Sequence, residues 1–126
     1  MNADNIIIFT DLDGSLLNHD DFQFKKIRSF IIDCLNSGIK IIPNSSKTKR
    51  EIEIFSNQLG KQLPFIVENG AAVHNLDLLN INFKSNTNSI IFSRTIDEII
   101  EIFKKKVPTI FKDKCLFVKD MKKQKQ

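Results

Sequence analysis

The sequence of 126 residues has no tryptophan and no tyrosine, so its 11 phenylalanines are the whole aromatic complement. Isoleucine is very frequent, which reads as a codon bias toward Ile, Lys and Asn and carries little functional information. Only two cysteines are present, Cys34 and Cys115. They are far apart and form no metal-binding or redox spacing, so the expectation is two reduced, buried thiols in a cytoplasmic protein. No apolar run approaches the length needed to span a bilayer. Asp4 interrupts the N-terminus and no basic stretch precedes Ile6–Phe9, so no signal peptide and no membrane partner are expected.

Charge of one sign is scarce in the first part of the chain and abundant in the second. Residues 1–74 hold 8 Lys/Arg against 9 Asp/Glu, whereas residues 75–126 hold 11 against 6. The excess comes from Lys104–Lys106 and scattered tail lysines. It contains no arginine cluster and no interleaved aromatics, so a solvated helix end and a frayed terminus account for it. No nucleic-acid partner is expected.

Ile6-Ile7-Ile8-Phe9 is a continuous apolar run that predicts a strand buried on both faces. Phe24, Ile27, Phe30, Ile31, Cys34 and Leu35 recur at helical spacing, with Gly38 as the C-terminal cap. Ile39, Ile41 and Ile42 predict a second strand, followed by the loop Pro43-Asn44-Ser45-Ser46. A second helix carries Ile52, Phe55 and Leu59 and ends near Gly60. Phe65-Ile66-Val67 predicts a third strand, closing at Glu68-Asn69-Gly70. This β-α-β-α-β order is the opening of a parallel open sheet. Right-handed crossovers place Asp11, Ser45 and Glu68 at one carboxyl edge, where such sheets bind ligands.

Beyond Ala71 the pattern weakens. Ile90–Phe92 suggests a strand. Thr95-Ile96-Asp97-Glu98 suggests a capping box before a helix near Ile96–Lys105. Cys115–Val118 suggests a strand, and Met121–Gln126 a disordered end. The expected organisation is a core in 1–74 and a partial cap region in 75–126.

Asp11 and Asp13 after a buried strand fit phosphoryl transfer. Asp11 can attack phosphorus in line and form an aspartyl-phosphate. Asp13 can protonate the leaving oxygen and then activate water. A magnesium ion would bridge the Asp11 carboxylate, the Asp13 main-chain carbonyl and the phosphate. A bare Asp-x-Asp could equally be an Asx-turn or N-cap cluster. The full Phe9-Thr10-Asp11-Leu12-Asp13-Gly14-Ser15-Leu16-Leu17 is far more specific.

That segment resembles the first motif of the haloacid dehalogenase-like phosphohydrolases, with Ser15 in place of the commoner threonine. Ser45-Ser46-Lys47-Thr48, followed by Arg50 and Glu51, resembles the second-loop signature of the mannosyl-3-phosphoglycerate phosphatases. Pro64-Phe65-Ile66-Val67-Glu68-Asn69-Gly70 resembles a third segment of that family. The resemblance covers about residues 5–73. It implies a partial α/β core with a Rossmann-like parallel sheet, followed by the start of an α/β cap. It also implies a magnesium-dependent phosphatase making mannosylglycerate from a phosphorylated sugar-glycerate.

By the same resemblance, Asp11 is nucleophile and metal ligand, and Asp13 is general acid/base and metal ligand through its carbonyl. Ser45 would hydrogen-bond a phosphoryl oxygen, at a strand end before a helix N-terminus. Ser46, Lys47 and Thr48 would bind the phosphate or the glycerate carboxylate, although Thr48–Glu51 also fits a simple capping box. Glu68 and Asn69 would contact the sugar, or merely form the turn that sets Gly70 at positive φ. His19 and His74 have no partner at catalytic or metal spacing and read as incidental.

The family's third-motif lysine and fourth acidic motif find no counterpart after Gly70; neither Asp113 nor Asp120 has the right setting. The expectation is therefore a truncated form, or a chain needing a missing C-terminal half or complementing chain. Other sugar phosphatases of the same fold, of the glucosyl-3-phosphoglycerate or sucrose-phosphate type, are alternatives, as is a non-catalytic remnant. A phosphoacceptor receiver domain fits the length, but it carries its aspartate after the third strand, where this chain has Glu68.

Overall fold

The structure, a computed structural model, describes residues 6–17, 24, 27–79 and 87–117. The chain divides into two compact units, Met1–Ser93 and Arg94–Gln126. In the first unit the order is β1 (Ile7–Thr10), α1 (Arg28–Asn36), β2 (Lys40–Pro43), α2 (Lys49–Leu59), β3 (Phe65–Val67), β4 (Ala72–His74) and β5 (Ser89–Ile91). The second holds α3 (Ile96–Lys106) and α4 (Thr109–Lys112).

β1 and β2 pair in parallel, from Ile7 opposite Lys40 to Thr10 opposite Pro43. β3 joins β2 through a single parallel bridge, Asn44 to Ile66. The expected opening of a parallel α/β sheet is therefore present. The sheet then changes direction: β3 pairs antiparallel with β4, and β4 with β5. Of these two added strands, the apolar run Ile90–Phe92 predicts β5, whereas no pattern marks β4. Three residues after a turn are too few to display a period, and His74 breaks the apolar run.

The turns that separate these elements follow from local chemistry. Gly60 caps α2 with φ +79°, a left-handed conformation that glycine adopts without steric cost. Beyond α1, Gly38 at φ +89° plays the same part, and the Ile39 N–H returns to the Cys34 carbonyl at 3.1 Å.

The core lies between β2, β3 and the two helices. Leu12, Leu17, Phe24, Ile31, Ile41, Ile52, Phe55, Leu59, Leu63 and Phe65 form one buried cluster. The Phe24 and Phe55 rings meet edge-on at 5.0 Å. Ile42 belongs to a second cluster with Leu76 and Leu79. Adjacent strand residues point to opposite faces, so β2 is covered on both sides.

The strand expected to be buried on both faces was β1, and that expectation is corrected. Ile7, Ile8 and Phe9 are 44%, 40% and 62% exposed. Among the described residues β1 pairs with β2 alone, so its apolar sequence records a capacity for burial that this chain does not satisfy. The thiol expectation also changes. Cys34 is half-buried against the core, but Cys115 is exposed, and both are free.

In the second unit, the Thr95–Glu98 capping box forms as expected. The Thr95 N–H donates to the Glu98 carboxylate at 2.7 Å, and the Glu98 N–H donates to the Thr95 hydroxyl at 3.2 Å. Lys104–Lys106 occupy the exposed last turn of α3, where cations meet the negative end of the helix dipole. Residues 115–117 form no strand. Phe117 instead sets its ring edge-on to Phe103 at 5.3 Å, so ring packing rather than a ladder positions this segment. The expectations for His19, Val118, Asp120 and 121–126 lie outside the described residues. No helix of the described residues is long and apolar enough to cross a membrane.

Candidate active site

The acidic loop is held from below by its leucines. Leu12 is fully buried and Leu17 nearly so, both within the main core cluster. The Leu12 carbonyl accepts the Leu17 N–H at 2.7 Å and the Ser15 N–H at 3.3 Å. The Gly14 N–H donates to the Leu17 carbonyl at 3.0 Å, and Gly14 takes φ +73°. This compact turn leaves Asp11 exposed and Asp13 half-buried. The Asp11 carboxylate accepts the Leu12 N–H at 2.7 Å, which fixes its rotamer beside the end of β1.

The second loop is tied to the first and to the third. The Asn44 N–H donates to the Thr10 carbonyl at 2.8 Å, aligning the ends of β1 and β2. Ser45 is buried; its N–H donates to the Ile66 carbonyl at 3.2 Å. Its hydroxyl oxygen accepts the Lys47 N–H at 3.3 Å, which leaves the hydroxyl proton available to an acceptor. Ser46 is exposed. The Thr48 N–H and hydroxyl donate to the Glu51 carboxylate at 2.8 and 2.7 Å, so that hydroxyl is engaged in starting α2. These two bonds hold the Glu51 carboxyl below its usual range, the side-chain bond contributing most.

The third loop has an uncommon backbone. Glu68, Asn69 and Gly70 take φ values of +51°, +57° and +96° in succession. The first two are non-glycine residues in a conformation that costs roughly 1–2 kcal/mol each. Hydrogen bonds to the second loop hold them there. The Glu68 N–H donates to the Lys47 carbonyl at 3.0 Å and the Asn69 N–H to the Ser45 carbonyl at 3.1 Å. Both side chains remain exposed.

One link between side chains was not read from the sequence. The Lys47 ammonium lies 3.0 Å from Oδ1 of Asp13. That oxygen is enclosed and has no other hydrogen-bond partner among the described residues. The signal was present only as a lysine two residues after a strand-end serine, and its reach to Asp13 depends on how β1 and β2 align. His74, expected to be incidental to the chemistry, is buried. Its Nδ1 is 2.8 Å from the Ser89 hydroxyl and its ring centroid 5.2 Å from that of Phe65. Burial pushes its pKa down.

The donors offered to a cation are the Asp11 carboxylate and the Asp13 carbonyl. Oxygen donors of this kind suit magnesium, which also takes water and phosphate oxygens. No cluster of three metal-binding side chains forms among the described residues. The residues thus fit magnesium in chemistry and would supply part of its shell.

Parallel strands with three strand-end loops gathered at one carboxyl edge define an α/β protein of the open-sheet class. Residues 8–126 match the family of haloacid dehalogenase-like hydrolases, and the chain belongs to that family. It is 50% identical over 68 residues to a glucosyl-3-phosphoglycerate/mannosyl-3-phosphoglycerate phosphatase of Persephonella marina. That alignment covers 54% of this chain and 25% of the relative. A mannosyl-3-phosphoglycerate phosphatase of Pyrococcus furiosus is 37% identical over 68 residues, covering 54% of this chain and 27% of the relative. The matched segment thus spans about a quarter of the length of these curated relatives. A haloacid dehalogenase-like hydrolase from B. subtilis superposes with a TM-score of 0.56 at 18% identity, covering 79% of this chain and 32% of that one. This last likeness concerns the fold.

Proposed function

We propose that the chain carries the phosphoryl-binding half of a magnesium-dependent phosphatase that hydrolyses mannosyl-3-phosphoglycerate to mannosylglycerate. The observation that carries this reading is the joining of three strand-end loops at one sheet edge. Thr10 is bonded to Asn44, Ser45 to Asn69 and Lys47 to Glu68. The names of the relatives support the substrate class, and one of them names the glucosyl compound beside the mannosyl one. Glucosyl-3-phosphoglycerate is therefore the second substrate to test.

In this reading an Asp11 carboxylate oxygen attacks phosphorus, and the bond from phosphorus to the glycerate oxygen breaks. Asp13 gives its proton to that departing oxygen. Asp13 then takes a proton from water as the water attacks phosphorus, releasing inorganic phosphate and restoring Asp11. The Ser45 hydroxyl donates to a phosphoryl oxygen. Ser46, Lys47 and Thr48 line the phosphate and glycerate side, with the Thr48 hydroxyl shared with Glu51, and Glu68 and Asn69 offer exposed polar groups to the sugar. Magnesium, held by Asp11 and the Asp13 carbonyl, would offset phosphate charge when bound. The region from residue 75 onward is read as the start of a cap. A complementing segment would find unsatisfied apolar surface on β1.

The test is single-turnover labelling of the 126-residue chain with magnesium and mannosyl-3-phosphoglycerate carrying labelled phosphorus. An acyl-phosphate on Asp11, lost in Asp11→Asn, is the expected result. Absence of label on Asp11 with both the mannosyl and glucosyl substrates would overturn the reading.

A further inference from the structure

We infer that Lys47 is a partner-exchanging counter-ion: it holds the Asp13 carboxylate in the chain by itself, and an entering phosphoryl or carboxylate anion takes it over. The inference rests on the reading of this edge as a phosphate site and adds to it a specific role for one lysine toward another residue.

Three observations carry it. The ammonium sits 3.0 Å from Oδ1 of Asp13, with the two side chains only 20% and 32% exposed, so solvent screens the pair less than it would a surface pair. Oδ1 has no other hydrogen-bond partner among the described residues, so the ammonium is what compensates its enclosure. The Lys47 backbone is fixed at both ends: its N–H donates to the Ser45 hydroxyl oxygen and its carbonyl accepts the Glu68 N–H. The main chain therefore need not move; four methylenes and three rotatable donors let the ammonium change partner.

Electrostatics give the exchange a direction. A phosphate dianion entering beside Asp11 and Asp13 meets like charge, so it gains most from an ammonium already at the loop. The next lysine along the chain is engaged elsewhere. Lys49 lies 3.7 Å from Glu53. Once Lys47 turns to the anion, the Asp13 carboxyl is released to face the leaving oxygen. Lys47 is thus a positioning residue for Asp13 as well as an anion contact.

The test is a double-mutant cycle on the full chain, with inorganic phosphate as the probe and calorimetry as the readout. Lys47→Met should weaken phosphate binding by about tenfold. Asp13→Asn should strengthen it in the unsubstituted chain, because the ammonium is freed as well as a charge removed. In the Lys47→Met background the same change should help less, with a coupling of about fivefold. Additive effects would refute the exchange and leave the phosphate site standing. No phosphate binding to the unsubstituted chain would overturn both readings. Carbon-13 NMR of the unsubstituted chain adds a measurement that needs no substitution to fold. The Lys47 Cε and Asp13 Cγ resonances should move together as phosphate is added, and movement of Lys47 with Asp13 unchanged would also refute it.

Discussion

The N–H of Asn69 donates to the carbonyl of Ser45 at 3.1 Å, and Asn69 makes this bond from a left-handed backbone at φ +57°. The strain of the third loop is thereby tied to the placement of the second. Asn69→Val should cost about 1–2 kcal/mol in urea unfolding, because a β-branched residue resists that conformation. Asn69→Gly should cost only a few tenths, since glycine adopts the same φ freely. Equal stability of the two variants would count against this account of the turn.

The acidic loop depends on the core beneath it. Leu12 is fully buried, and its carbonyl accepts two of the loop's own N–H groups. Leu12→Ala should destabilise the chain by roughly 2–5 kcal/mol. Hydrogen exchange at Gly14 and Leu17 should speed up, because both amides are bonded within the turn that Leu12 anchors.

Glu51 makes stability depend on acid. Its folded pKa lies below the unfolded value, chiefly through the Thr48 hydroxyl and then the Thr48 N–H. Its contribution is therefore complete above the unfolded carboxyl pKa of about 4.3 and is lost as pH falls through the folded value. Glu51→Gln should lower stability at pH 7 and flatten the profile below pH of about 5. Thr48→Ala should cost on the order of 1 kcal/mol at neutral pH. Chemical unfolding across pH checks both.

His74 acts in a higher window. Burial lowers its folded pKa, with Lys49 acting in the same direction and Glu53 and Glu68 opposing. The unfolded chain therefore binds the proton first. Stability contributed by neutral His74 is present above about pH 6.5 and declines as pH falls toward the folded value. His74→Phe should remove that slope between about pH 7 and 5, read as the change in urea midpoint. An unchanged slope would show that another group titrates there.

β1 carries a further consequence. Phe9 is 62% exposed on a strand that pairs only with β2 among the described residues. Exposed apolar edge strands favour association. Phe9→Lys should reduce concentration-dependent light scattering of the chain without lowering its unfolding midpoint.

Much of this molecule was legible without coordinates. The Thr48–Glu51 and Thr95–Glu98 caps and the glycine stops at Gly38 and Gly60 follow from short-range chemistry, and the parallel pairing of β1 with β2 follows from the β-α-β order. So does the gathering of Asp11, Ser45 and Glu68, because crossover handedness leaves those strand ends one edge to share. The sequence did not reveal which apolar strand is covered on both faces. Burial depends on what packs against a strand: the unbroken run Ile6–Phe9 predicted it, whereas the strand that shows it is the one interrupted by Lys40.

The sequence by itself determined the acidic loop, the order of the three strand-end segments and the helices between them, because these rest on local periodicity, capping and turn propensities. Only the tertiary structure decided that Lys47 reaches Asp13, that Glu68 and Asn69 hold the second loop through their backbones, and that β1 stays exposed while β2 is enclosed. Those outcomes depend on strand register and on which surfaces meet, and no local pattern encodes either.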